Sequence, residues 1–358
     1  MDAAVDLPVN IAKGIHMPRL GSAYSSSSTV PSASSDRISS FQAPSAERAK
    51  WQLTNTLIPY VLLWIAMDRV LSISYWLMLP LAFLASGFLV RIFIIFHDCC
   101  HASFFKSRAA NNIVGTIAGL MNMMPYRHWR WQHAIHHGTS GDLNRRGIGD
   151  IWMLTVKEYQ QSTRVRRLAY RFLRNPFVLF LIAPLFVFVV QQRFASPTAP
   201  LRERQSVRQT NLCLCAIALL MTATIGWKPF FLIQLTVSAF AGAAGLWLFY
   251  VQHQFDRGYW ARTENWSYVD AALHGSSFYK LPRVLQWFTG NIGFHHIHHL
   301  NPGIPNYHLQ RCHEADPVFK TIKPLTLLGS LKSLSFRLWD ETRNTYVGFG
   351  HSSVSEPR

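Results

Sequence analysis

The feature that most constrains this chain is an apolar run of 26 residues, 71–96, which contains WLMLPLAFLASGFLVRIFIIF and is followed at once by HDCCH, 97–101. As a helix, such a run is roughly 39 Å long at 1.5 Å per residue. The hydrocarbon core of a bilayer is about 30 Å thick. The end of the helix therefore projects into water and carries His97 and His101 with it. Composition agrees with a membrane setting, because 49% of residues are hydrophobic and only 15% charged, a balance unusual for a soluble enzyme.

Four further apolar runs lie at 53–67, 176–192, 211–227 and 229–250. Their arrangement follows from parity if the histidine-rich windows at 97–101, 133–137 and 295–299 meet on one side of the membrane. The runs 53–67 and 71–96 then form a spanning hairpin that turns at Asp68 and Arg69. Between His137 and His295 the number of crossings must be even, yet three runs intervene. Charge selects the one that does not cross. Segments 126–175 and 193–208 carry ten and four Lys or Arg, against one in the turn GWKP at 226–229, so both basic segments belong to the cytoplasmic side. Run 176–192, with Pro184 in its middle, is then re-entrant or interfacial, and 211–250 is the second spanning hairpin. The expected fold is an all-α integral membrane protein with four transmembrane helices in two hairpins, interfacial or re-entrant helices, and a cytoplasmic helical cap over the histidines.

The organisation expected around this domain is simple. Residues 1–48 are rich in Ser, Pro and Ala and lack periodicity, which reads as a disordered tail. Residues 49–335 form the membrane domain with its cap, and 336–358 a C-terminal tail. No apolar h-region of a secretory signal lies near Met1. The five cysteines are odd in number and contain no CxxC, so they read as reduced thiols.

Histidine carries the chemistry. Nine of the 16 histidines fall within the three windows. In HDCCH, HAIHH and HHIHH the spacings i, i+4 and i, i+3, i+4 place His97 and His101, then His133, His136 and His137, then His295, His298 and His299 on helix faces where imidazoles can converge on an ion. A zinc site takes four ligands and a catalytic one three, so eight imidazoles point to two metals. An imidazole set suits Fe, Zn, Cu or Ni and not Mg or Ca. HExxH is absent, which leaves no glutamate base for zinc hydrolase chemistry; iron with oxygen fits better. Ligating imidazoles pass their other N–H to carboxylates or carbonyls, and Asp98, Asp142 and Asp150 are the acids nearest the windows. Asn291, one turn before His295, could hold a water on a metal. His296, His16, His128, His274, His308, His313 and His351 read as ordinary surface or core histidines.

In their contexts HDCCHASFF, RHWRWQHAIHHGTSGDLNRRGIGDIWMLTVKEY and NIGFHHIHHLNPGIPNYHL, the three boxes resemble the membrane fatty acid desaturases, most closely the acyl-lipid Δ12/ω6 type, from about Trp51 to about Pro317. The resemblance implies a non-haem di-iron centre on the cytoplasmic face of four transmembrane helices, with the eight box histidines as ligands. It also implies a ninth ligand at the end of the last transmembrane helix, and WLFYVQHQFDRGYW places His253 there. The reaction it implies is insertion of a double bond into the acyl chain of a membrane lipid, with O2 as co-substrate and two electrons. No His-Pro-Gly-Gly haem segment and no GxGxxG occur, so a separate cytochrome b5 or ferredoxin is the expected donor. The formal charge of +17 suits such an acidic partner or anionic lipid; with runs this apolar, nucleic acid is not an expected partner. The rival within the same chemistry is a carotenoid ketolase or hydroxylase or another di-iron lipid hydroxylase. A metal transporter would line a mid-membrane path with its histidines, whereas these lie beyond helix ends.

Overall fold

A computed structural model describes residues 32–350. The chain is mainly helical, and its first two long helices begin at side-chain caps. After a short helix α1 (Ser32–Ser39), α2 (Ala46–Leu71) starts where the Ser45 side chain accepts from the Arg48 amide, and α3 (Tyr75–Cys100) where Ser74 accepts from that of Trp76. A hydroxyl in that place satisfies an amide that the first turn cannot. α3 is stopped by Ala102, whose φ of 56° is left-handed, with the amide of Ser103 returned to the Asp98 carbonyl at 3.1 Å.

Next come α4 (Arg108–Met121) and α5 (Tyr126–Thr139), then β1 (Leu154–Thr155), α6 (Val156–Gln161), α7 (Arg164–Leu173) and the irregular helix α8 (Val178–Arg193), which meets α7 at 63°. α9 (Leu201–Ile225) and α10 (Trp227–His253) form a long hairpin. It turns at Gly226, whose φ of 89° is open to glycine without the Cβ clash other residues meet. α3 and α10 pack side by side in the same direction. Tyr75 meets Thr236 at one end, 3.1 Å apart, and His97 and His253 mark the other.

The cap over that histidine end comprises α11 (Tyr268–Gly275), α12 (Arg283–Phe288), α13 (His295–Leu300), α14 (Asn306–Ala315) and two small sheets. β2 (Phe278–Lys280) pairs in parallel with β3 (Pro324–Thr326). β4 (Leu338–Asp340) lies parallel to β1 and antiparallel to β5 (Thr345–Val347). Burial along α3 reads as membrane helix passing into protein. Its first half leaves Trp76, Leu77, Phe83 and Leu84 exposed, whereas Phe88–Phe96 is almost entirely covered, Phe93 being only partly so.

Two expectations are corrected. The N-terminal tail expected to end at 48 has structure from Ser32. Ile38 is buried in the core beneath α14, and Gln42 donates to Asn301 at 2.9 Å; a few side chains dock a Ser/Ala-rich stretch that shows no periodicity. The segment expected as a C-terminal tail carries β4 and β5 and buries Trp339. Its partner strand β1 is 184 residues away in sequence, by the register Leu154 to Leu338, a pairing no local pattern announces. Among the described residues three helices, α3, α9 and α10, are long and apolar enough to cross a membrane, four if the bent pair α7–α8 counts as one. α2, expected as a span over 53–67, has the length but falls short in hydropathy, because Gln52, Thr54, Asn55 and Thr56 occupy its first half.

Candidate metal centre

Four helices deliver the histidines. α3 brings His97 and ends at His101, α5 carries His133, His136 and His137, α10 ends on His253, and α13 carries His295, His298 and His299. Their ring nitrogens gather into two groups. In the first, one nitrogen each from His97, His101, His133, His137 and His298 lie within 4.8 Å of one another; in the second, those of His136, His253 and His299 do. His295 joins the second group, with its Nε2 3.0 Å from that of His253. The doublets divide: His137 and His298 turn to the first group and their neighbours His136 and His299 to the second, since adjacent helical residues point about 100° apart.

The spacing inside each group suits a cation. His137 Nε2 lies 3.1 Å from His133 Nε2 and 3.0 Å from His298 Nε2, and His253 Nε2 lies 3.2 Å from His136 Nε2. Imidazole nitrogens roughly 2.1 Å from one ion stand about 3.0–3.4 Å apart. A single N–H on His137 cannot serve two acceptors, so in each group lone pairs face lone pairs across a buried space. Nε2 of His101 and of His299 are buried with no partner at all. Desolvation, and secondly the neighbouring rings, push His133, His137, His295, His298 and His299 well below the usual histidine range. Neutral imidazole is the form that binds metal.

Behind the rings stand two of the four expected supporting residues. Asp150 Oδ1 is 2.6 Å from His136 Nδ1, with Oδ2 accepting from the Gly147 amide at 3.0 Å. Asp98 Oδ1 is 3.3 Å from His97 Nδ1, and its Oδ2 accepts from the amide and side chain of Asn306 at 2.7 and 2.8 Å. The other two pair elsewhere. Asp142 is wholly buried and is used by Arg145, Thr263 and the Asn144 amide, pinning the loop after α5. Asn291 accepts from Gln286 and donates to the Asn306 carbonyl, so both ends of its carboxamide are engaged by residues outside the histidine groups. The sequence reading missed Asn306, which braces Asp98, and the carbonyl of Gly275, which is hydrogen-bonded to His253. Neither residue type carries a signal. His296 is fully buried yet outside both groups, held down to about 3 by desolvation, and His128 is spent on the Ser196 amide.

Aromatic rings close the membrane side. Trp129 stacks on His133 at 4.3 Å and packs on Phe93 and Phe96, while Phe249 lies 5.3 Å from His136 and 5.2 Å from His253. Beside Phe249 a dent of about 20 Å³ reaches Asp150, His253, Gln254 and Trp260, room for a water. A cavity of about 620 Å³ lies at the far end of α3 and α10 against Tyr75, Trp227 and Phe231, remote from the histidines. It belongs to the apolar outer surface.

Comparison with known proteins agrees with this site. The family model described as fatty acid desaturase matches residues 74–323, a stretch that holds all nine histidines. A protein of Bacillus subtilis named fatty acid desaturase is 48% identical over 90% of this chain and 92% of its own length. The sn-1 oleoyl-lipid 12-desaturase of Synechocystis is 29% identical over 66% of this chain and 68% of its own. A temperature-sensitive sn-2 acyl-lipid omega-3 desaturase (ferredoxin) of Arabidopsis thaliana is 29% identical over 72% of this chain and 62% of its own. Apolar helices of spanning length, a buried histidine cluster able to bind metal, and these matches place the chain in the fatty acid desaturase family, as a membrane oxidoreductase of lipid metabolism.

Proposed function

We propose that the chain introduces a cis double bond at the Δ12/ω6 position of an acyl chain carried by a membrane lipid, at two irons held by His97, His101, His133, His137 and His298 on one side and His136, His253, His295 and His299 on the other. The observation that carries this reading is the division of nine buried ring nitrogens into groups of five and four at ion-ligand spacing. Iron with O2 supplies the oxidant that an unactivated methylene requires, since no general base can remove its hydrogen. The names of the Synechocystis 12-desaturase and of the omega-6 desaturases among the relatives, such as that of Glycine max, support the position.

The protein's own part is to hold and shield. Asp150 and Asp98 fix which nitrogen of His136 and His97 faces the metal. Trp129 and Phe249 form the dry wall against which the reacting carbons lie, and their rings exclude water from that side. Two hydrogen atoms, which together carry two protons and two electrons, leave the acyl chain. Two electrons come from a donor and two protons from solvent, so that one O2 leaves as two waters. The dent beside Asp150 and His253 gives solvent its approach.

The donor is a separate cytochrome b5 or ferredoxin; the word ferredoxin stands in the name of the Arabidopsis relative. Its acidic surface meets the Arg side chains of 126–175, among them the exposed Arg164, Arg166 and Arg171. That face is cytoplasmic by the positive-inside rule, and α2 completes four crossings with α3, α9 and α10, its 26 residues being roughly 39 Å long.

The test is expression in a host that makes only monoenoic acids, beside a His133→Ala control, with mass spectrometry of the fatty esters. A new dienoic acid absent from the control, with its second double bond at Δ12/ω6, is the expected result. A dienoic acid with the bond elsewhere would reassign the position, and a product also made by His133→Ala would end the iron assignment.

A further inference from the structure

His253 stands on the last residue of α10, and the chain leaves the helix at Gln254, with φ −126° and ψ 84°. The last carbonyls of a helix have no partner within it, so the position of this imidazole depends on what takes them. The Gln252 carbonyl accepts from the Ser277 amide at 2.9 Å. The His253 carbonyl accepts from the hydroxyl of Tyr346 at 3.0 Å, and Tyr346 lies in β5, beyond the segment 74–323 that the family match covers. That hydroxyl is itself fixed, accepting from Trp260 Nε1 at 2.6 Å. The ring is 6% exposed, stacked on Phe336 at 5.4 Å and edge-on to Trp339 at 5.0 Å. One turn earlier Tyr250, also buried, donates to the carbonyls of Ser333 and Phe336 at 2.8 and 2.9 Å. Arg174, at the end of α7, donates to Gln254, to Tyr250 and to the Phe336 carbonyl.

We propose that the β4–β5 hairpin is a latch on the four-histidine metal position, and that Tyr346 is the positioning residue that sets His253 through its backbone carbonyl. The five-histidine group stands on α3, α5 and α13 and includes no residue of α10. Release of the latch therefore unseats one metal selectively. The inference rests on the two-iron reading above.

The experiment uses the full chain, purified with iron in lipid nanodiscs, as wild type, Tyr346→Phe and Tyr159→Phe. Tyr346→Phe keeps the ring and removes one hydroxyl. Tyr159→Phe removes a hydroxyl on α6 that accepts from Arg171 at 2.6 Å; its ring packs with Leu338 and Val347 of the same hairpin, and it serves as control. The wild type is expected to hold two irons through a chelator challenge, as is Tyr159→Phe. Tyr346→Phe is expected to release one iron at least roughly tenfold faster, the scale seen when an outer partner of a ligand is lost, and to keep the other at the wild-type rate. A Tyr346→Phe protein that keeps two irons at the wild-type rate, or releases both together, overturns the latch while leaving the two-iron reading intact. A wild type that binds fewer than two irons overturns that reading and the latch with it.

Discussion

A carboxylate behind a ligating imidazole decides which nitrogen faces the metal and how basic it is. Asp150 does this for His136 in the four-histidine group and Asp98 for His97 in the other. Replacing Asp150 with Asn keeps the shape and removes the charge. Iron affinity of the four-histidine group is expected to fall about 10–100-fold, with Asp98→Asn doing the same to the five-histidine group. Iron content against a graded chelator would separate the two, and equal effects on both irons would refute the pairing. The buried rings also give stability a pH dependence. Burial holds His133, His137, His298 and His299 well below 6.5 when folded, whereas in an unfolded chain they take up protons as pH falls through about 6.5. The iron-free protein thus keeps its full stability above that pH and loses stability as pH falls below it, because the unfolded chain binds more protons. Thermal midpoints of the iron-free protein, unchanged between about pH 8 and about pH 5, would contradict this sign. At this scale the sequence was informative where spacing meets chemistry: the eight box histidines repeat at helical intervals, and all eight point into the two groups. It was silent on partners chosen by the fold, such as Asn306 behind Asp98 and Gly275 behind His253. Asp142 was read as support on sequence proximity alone, yet its carboxylate turns to Arg145 and Thr263.

Helices α3, α5, α10 and α13 hold nine rings in register only if their backbones approach closely at fixed points. One such point is Gly115 of α4. A Cβ there would come within 2.3 Å of the Tyr126 ring and 2.9 Å of Cys99 Cβ, where α4 presses against the start of α5 and the end of α3. Tyr126 in turn donates to the Cys99 carbonyl at 2.7 Å, so the ring cannot retreat without breaking the tie between the helices of the first and second boxes. Gly115→Ala is expected to cost about 1–3 kcal/mol, as overpacking does, and to loosen iron in the five-histidine group more than in the other. A thermal midpoint and iron content equal to wild type would show that the contact is slack. Long helices of this kind are legible in sequence because an apolar run of 26 residues admits few alternatives. The β1–β4–β5 sheet is not, because strands of two and three residues carry no periodicity and are held by buried aromatics such as Trp339 and Tyr170.

On the scale of the whole molecule, the two histidine groups require an even number of crossings between the chain segments that supply them. α9 and α10 contribute two, turning at Gly226 beside Trp227 and Lys228. α3 and α10 run in the same direction, from the end marked by Tyr75 and Thr236 to the histidines, so Gly226 lies at the end away from the metal centre. The segment between α5 and α9 must then return to the side it left. α7 and α8 meet at 63°, and Pro184 in α8 lies so near Gly242 of α10 that a Cβ there would approach it to 2.8 Å, which places the middle of α8 against the bundle. Both ends of the pair are basic, with Arg164, Arg166 and Arg167 at the start of α7 and Arg202, Arg204 and Arg208 after α8. Carrying either set across a membrane is disfavoured. On the proposed topology α7–α8 dips in and returns, and cysteine reporters at 165 and 200 are expected to label from the same side, with a reporter at 227 labelling from the other. Opposite labelling of 165 and 200 would make α7–α8 a broken span. It would also place His137 and the start of α9 on opposite sides, which the nitrogen distances between α5 and α10 forbid unless α9 and α10 do not both cross.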